Sequence, residues 1–307
     1  MGTLLQLELP RVQKRNIKLA RVAGFCFGVR RAVEMAQQAR HARSGNITSL
    51  GQIVHNSQVI QHLRQQGIET AEALSDISSG AVILSAHGVA PQVLQAAKEQ
   101  GLDIVDVTCP FVSKVNRTAK QLIEQGYPIL LVGDPGHTEV RGVIGTIESM
   151  GGSVQLVSHP EEVSALTLGK KVGVISQTTQ LAETFAQIVA EVCRRVADVR
   201  ACNTICGATD ELQEAAVALA REVDVVIVIG GRKSANTRRL RQLCEGEGVP
   251  AYHIETADDI DSRWLLGKRN IGLTAGASTP DWVIEEVARM LNDGDLPDDW
   301  NLHNPER

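Results

Sequence analysis

The sequence predicts an α/β protein built on mostly parallel sheets, and three observations carry that prediction. Short apolar runs alternate with amphipathic stretches of helical length, the rhythm of strand–helix–strand units wound with right-handed crossovers. Several runs are rich in Val and Ile and apolar at nearly every position, which suits strands buried on both faces. A length of 307 residues is enough for two or three small units with a sizeable core.

In chain order, residues 17–22 form the first predicted strand and 29–43 the first amphipathic helix. A strand at 81–85 leads to a helix at 91–100, opened by Pro91, and a strand at 104–107 to a helix at 112–125. Pro110 fits a first helical turn there, because its missing N–H needs no partner at that position. Strands at 129–133 and 172–176 follow, the second leading to a helix at 181–195. A helix at 210–222 precedes the most apolar strand, 223–230, and a helix at 237–246. A strand at 271–274 and a helix at 280–292 complete the order, and the acidic, polar stretch from 293 to 307 reads as a loosely held tail.

Composition excludes several classes. A formal net charge of −5 argues against a nucleic-acid binder, which would show a basic face. No apolar run reaches the length of a membrane span, and residues 1–16 lack a secretory core. Aromatic residues make up only 3%, so aliphatic side chains and alanine must fill the core. Six cysteines in this length do not suggest a disulfide scaffold. The expectation is a soluble cytoplasmic enzyme whose cysteines are ligands, catalysts or packed thiols.

Three of the six stand where a strand ends and a helix begins: Cys26 between Gly24 and Gly28, Cys109 before Pro110, and Cys206 before Gly207. A helix N-terminus favours thiolate. Three such thiolates brought together would make a soft metal site with an open position, and spacing alone allows iron–sulfur or zinc. Cys193 and Cys244 fall inside amphipathic helices and read as packed thiols. Cys202 is either a partner of Cys206 or a spare.

The loops after the strands are polar and glycine-lined: Ser85–Gly88, 133–139, 176–179, 230–237 and 274–280. Singly they are ordinary turns and caps. Together they suit one site outside the carboxyl ends of the strands. His87 and His137 lie in these loops and His55 beside a polar turn, where histidines with Ser, Thr and Asn can hold a phosphate without a lysine cluster. His41, His62, His159, His253 and His303 read as packing or surface residues. Helices starting near Ser234 and Thr279 offer N-terminal dipoles to an anion, and no Walker loop is present. Glu139 is either a solvated loop carboxylate or, beside a buried cluster and a phosphorylated ligand, a proton donor with a raised pKa.

Gly-Phe-Cys-Phe-Gly-Val at 24–29, Val-His-Asn at 54–56, Ser-Ala-His-Gly at 85–88, Asp-Val-Thr-Cys-Pro at 106–110 and Gly-His-Thr-Glu-Val at 136–140 stand in one order with further motifs. These are Gln-Thr-Thr at 177–179, Ile-Cys-Gly-Ala-Thr at 205–209, Ser-Ala-Asn-Thr at 234–237 and Thr-Ala-Gly-Ala-Ser at 274–278. From about residue 17 to 292 the chain thereby resembles the 4-hydroxy-3-methylbut-2-enyl diphosphate reductase family, the terminal enzymes of the non-mevalonate isoprenoid pathway.

The resemblance implies three α/β domains in a trefoil around a central [4Fe–4S] cluster: 26–109, 110–203 and 204–292, with 1–25 an extension whose strand joins the third and 293–307 a tail. It implies Cys26, Cys109 and Cys206 as cluster ligands, the fourth iron being open to the substrate hydroxyl. His55, His87 and His137 would line a diphosphate pocket with Ser234, Asn236 and Ser278. Thr178 and Glu139 would sit near the substrate alcohol, Glu139 delivering a proton. The implied reaction is a two-electron reductive dehydroxylation giving isopentenyl and dimethylallyl diphosphate, fed by a ferredoxin- or flavodoxin-type carrier. Ala235, Leu212, Asn116 and Thr138 depart from the family pattern and leave room for a relative with an altered substrate, while a non-catalytic cluster- or zinc-binding module is the alternative from another class.

Overall fold

The computed structural model describes residues 15–292, 295–297 and 300; His303 and most of the N-terminal extension and C-terminal tail lie outside them. The first described strand, β1 (Asn16–Leu19), leads through seven residues into α1 (Phe27–His41). Next come β2 (Ile47–Leu50), α2 (Ser57–Gln65), β3 (Glu69–Ala71), β4 (Ala81–Leu84), α3 (Pro91–Glu99) and β5 (Asp103–Asp106). These four strands form a parallel sheet in the order β3-β2-β4-β5. Helix α1 turns Ala32, Val33, Ala36 and Ala39 onto it, the i, i+4, i+7 spacing of one helical face.

The pattern then recurs. Helix α4 (Pro110–Glu124), β6 (Ile129–Val132), α5 (Thr138–Ser149), β7 (Val154–Val157), β8 (Lys171–Ser176), α6 (Ala182–Cys193) and β9 (Asp198–Ala201) build a parallel sheet of order β7-β6-β8-β9. Helix α7 (Gly207–Ala220), β10 (Val225–Ile229), α8 (Ala235–Gly246), β11 (Ala251–Ile254), β12 (Asn270–Ala275) and α9 (Asp281–Leu291) build the third. Its order is β1-β12-β10-β11, so the N-terminal strand closes the unit that the C-terminal part begins. The fold is therefore three parallel-sheet α/β units of four strands each.

Central strands β4, β6 and β10 are buried at every position, as their unbroken aliphatic sequences require. Strands β2, β3, β7, β9 and β11 and helices α2 and α5 are additions to the sequence reading. Strand β9, Asp-Val-Arg-Ala, is an exposed edge without an apolar face to betray it. Helix α5 contains Gly142 and Gly145, which weaken its helical signature. Those glycines let it lie against the first unit, where a Cβ on Gly145 would stand 2.5 Å from that of Ala90.

Candidate active site

Topology sorts the candidate residues into two sets. The three cysteines follow one edge strand of each sheet, β1, β5 and β9, where the chain leaves one sheet for the next. Each caps the helix that follows: Cys26 on α1, Cys109 on α4, Cys206 on α7. The other residues follow the two central strands of each sheet. His55 and His87 come after β2 and β4, His137 with Glu139 and Thr178 after β6 and β8, and Ser234 with Asn236 and Ser278 after β10 and β12.

Backbone bonds fasten the two sets together three times over. The N–H of Cys26 donates to the Ala277 carbonyl at 3.1 Å, that of Cys109 to Ala86 at 3.0 Å, and that of Cys206 to Thr178 at 2.9 Å. Each acceptor is, or immediately precedes, a candidate ligand-contacting residue: Ser278, His87 and Thr178 itself.

All eleven candidates line one cavity of about 100 Å³. The cysteines converge at its floor. A Cβ on Gly28 would lie 2.5 Å from the Cys109 sulfur and 4.0 Å from that of Cys26, so only glycine fits between them. The sulfurs are close enough to act on one another: Cys206 is pushed up to about 11, chiefly by burial and further by Cys26 and Cys109. Cys26 is raised for the same first reason, with Cys109 adding to it. Backbone N–H groups at the helix starts do lower both, as a helix N-terminus should, but burial outweighs them. Three soft sulfurs at one place, two of them with thiols raised by burial, suit exchange of thiol protons for a metal.

The histidines stand against each other. His55 stacks on His87 with ring centres 4.1 Å apart, and His137 meets both edge-on at 5.3 and 5.6 Å. Burial drives His55 and His137 down to about 4 and His87 well below its ordinary range. Their ligand atoms come within 4.8 Å of one another, which a divalent cation would also accept. Beside them, Asn236 has both side-chain polar atoms buried without a partner, as has Nδ1 of His87. An unsatisfied buried polar group costs about 1–3 kcal/mol, so these atoms mark where a polar ligand belongs.

Glu139 is not on a loop. His137 caps α5, its Nδ1 accepting from the Glu139 N–H at 3.2 Å, and Glu139 lies in the first turn with 2% exposure. Thr178 donates its backbone N–H to Oε1, and its hydroxyl lies against Oε2, both at 2.7 Å. These bonds lower the carboxyl pKa and burial raises it more strongly, leaving it at about 7.

Among the remaining cysteines, Cys244 is a packed thiol, but Cys193 is exposed, contrary to expectation, and Cys202 packs against the core of the second unit. His253 donates from Nε2 to the Gly230 carbonyl at 2.7 Å, a structural role. Ala235 lines the cavity, Leu212 is core, Asn116 has a buried oxygen without a partner, and Thr138 is the first residue of α5, where proline is also tolerated. The sequence reading missed Asp134 and Arg239, whose 2.6 Å ion pair joins the loop after β6 to α8. It also missed Gln177, which accepts from the Asp134 N–H at 2.8 Å. Asp134 and Gln177 lie in polar loops that follow strands, whereas Arg239 lies within a helix and carries no local signal.

A family model described as LytB protein matches residues 17–292. A 4-hydroxy-3-methylbut-2-enyl diphosphate reductase of Geobacter sulfurreducens is 45% identical over 91% of this chain and 98% of its own. Its counterpart from Aquifex aeolicus is 38% identical over 91% and 96%. A solved structure described as (E)-4-hydroxy-3-methyl-but-2-enyl diphosphate reductase, the terminal enzyme of the non-mevalonate pathway, superposes with a TM-score of 0.68 at 38% identity, covering 91% of this chain and 99% of that one. The E-1-hydroxy-2-methyl-but-2-enyl-4-diphosphate reductase from Plasmodium falciparum gives a TM-score of 0.83 at 31% identity, covering 88% and 86%. With the fold, the motif order and these likenesses extending over nine-tenths of its length, the chain belongs to the LytB protein family.

Proposed function

We propose that this protein is an iron–sulfur reductase that converts 4-hydroxy-3-methylbut-2-enyl diphosphate into isopentenyl and dimethylallyl diphosphate. One observation carries the reading: three thiols, a buried carboxyl near neutrality and a set of unpartnered polar atoms share one small cavity. In the reaction the alcohol C–O bond breaks, a C–H bond forms, and the oxygen leaves as water, consuming two electrons and two protons.

Cys26, Cys109 and Cys206 are the residues that would hold the cluster, their soft sulfurs being the donor set it takes. When bound, a [4Fe–4S] cluster supplies the electrons, delivered by a ferredoxin- or flavodoxin-type carrier, and a Lewis-acidic iron. His55, His87 and His137 with Ser234, Asn236 and Ser278 bind the diphosphate. The Asn236 amide offers two N–H donors that the protein leaves unused. Thr178 and Glu139 face the alcohol. A carboxyl with pKa about 7 is still partly protonated at neutral pH, so Glu139 can give a proton to the departing oxygen. Its pairing with Thr178 holds that proton at a fixed place and offers a path for reprotonation. Domain limits at 26–109, 110–203 and 204–292 accompany this reading, the first unit beginning at Cys26, the second directly after Cys109 and the third just before Cys206.

Anaerobic incubation with dithionite-reduced viologen and the allylic diphosphate tests the function. Substrate-dependent oxidation of the viologen is the expected result. No oxidation by protein with an intact cluster would exclude this activity.

A further inference from the structure

The inner cavity attracts a diphosphate weakly from a distance. Its lining includes no lysine or arginine among the described residues, and burial keeps His55 and His137 neutral near pH 7. Neutral hydrogen-bond donors act at contact. Attraction between charges reaches outward over a Debye length, about 8 Å at physiological ionic strength. Such a cradle can hold an anion once seated, but the charge that draws it in must stand elsewhere.

It stands one layer outside. A cleft of about 790 Å³ adjoins the cavity, and His55 and His137 line both, so these two histidines are the shared wall. Arg141, Arg232, Lys233 and Arg238 line the cleft. Arg232 is engaged, with Asp259 at 3.3 Å. Arg238 lies 3.7 Å from Asp134, a carboxylate that Arg239 already holds at 2.6 Å. The side chains of Arg141 and Lys233 make no hydrogen bond or ion pair among the described residues. The charges of Lys233, Arg238 and Arg141 all reach His55. Opposing them in the cleft are Asp134, already paired, and exposed Glu72. The three cations come from two units, Arg141 from α5 and the others from the start of α8 and the loop before it. Low-dielectric walls carrying one net sign of charge concentrate a counter-ion at their centre.

We propose that Arg141, Lys233 and Arg238 form an outer anion site that captures a diphosphate in the cleft before it passes His55 and His137 into the cavity. Its ligands are inorganic pyrophosphate and organic diphosphate monoesters. That the natural ligand is the substrate rests on the function proposed above; capture of the anion does not. Attraction and recognition are thereby divided between two layers, long-range charge outside and short-range hydrogen bonds within.

The double variant Arg141→Gln/Lys233→Gln tests this, since both side chains are exposed and their loss should leave folding intact. Calorimetric titration of the holoenzyme with inorganic pyrophosphate at about 20 mM salt should show binding weakened roughly tenfold, the gap closing toward about 300 mM. In the viologen assay, kcat/KM for the allylic diphosphate should fall by a similar factor at low salt and converge with wild type at high salt. Pyrophosphate binding and salt dependence equal to wild type would overturn the outer site even if turnover is normal. A weakened, salt-sensitive pyrophosphate affinity without any wild-type turnover would uphold the site and discard the function.

Discussion

Glu139 is held between opposing influences, and the balance sets its behaviour with pH. The carboxyl has its ordinary value of 4.5 in the unfolded chain and about 7 in the folded one. Between those values the folded state binds more protons, so stability from this group is full below pH 4.5 and declines as pH rises toward 7. His55 and His137 run the other way: folded values of about 4 against 6.5 unfolded mean that their contribution is lost as pH falls through that window. Replacing Glu139 with Gln removes only the first effect. The unfolding free energy of Glu139→Gln relative to wild type should rise between pH 5 and pH 8, and a constant difference in urea titrations would contradict the burial argument. The same variant should retain the visible absorption of the cluster yet lose about 10²–10⁴-fold in turnover, because shape is kept and acidity is not. Gly28 makes a second point at this scale. A methyl group there would press on the Cys109 sulfur at 2.5 Å, so Gly28→Ala should lower iron per chain while the far-ultraviolet circular dichroism stays unchanged.

Elements with strong internal signals were legible in the sequence, and those defined by their neighbours were not. Strand β10 is apolar at all five positions and could hardly be anything else. Strand β3 has three residues, two of them exposed, and exists only because β2 lies beside it. Helix α5 hid behind its glycines, and with it the placement of Glu139 in a first turn rather than a loop. The cysteines and histidines were legible because chemistry leaves rare residue types beside glycine and proline at strand ends. The Asp134–Arg239 pair was not, since 105 residues separate its members and nothing local links them. Strand β10 also offers a packing test. Ile227 is fully buried in the core under α9, so Ile227→Ala should cost about 2–5 kcal/mol in a denaturation experiment.

The molecule as a whole is three sheets drawn around one centre. Their association depends on contacts that no single unit can make. Asp134 and Arg239 supply one, with the Arg239 side chain only 9% exposed. Asp134→Ala would leave that guanidinium buried and unpaired, at a cost of about 3–5 kcal/mol. A lower Tm is the expected readout, and Arg239→Met in the same background should restore part of it by removing the stranded charge. Gly231 supplies another contact: a Cβ there would stand 2.1 Å from the His55 carbonyl, so the loop before α8 lies directly on the backbone of the first unit. Among the described residues no helix is long and apolar enough to cross a membrane.

The fastening of the Cys26, Cys109 and Cys206 N–H groups, each to one neighbouring loop carbonyl, has a mechanical side. Any shift of a sulfur must tug on the backbone at Ala277, Ala86 or Thr178 through a bond of about 3 Å, so on the proposed function the grip on an inorganic centre and the grip on an organic ligand would not be adjusted independently. Damage to the one by oxygen should therefore register in the other as slackened phosphate binding, before any strand has come undone.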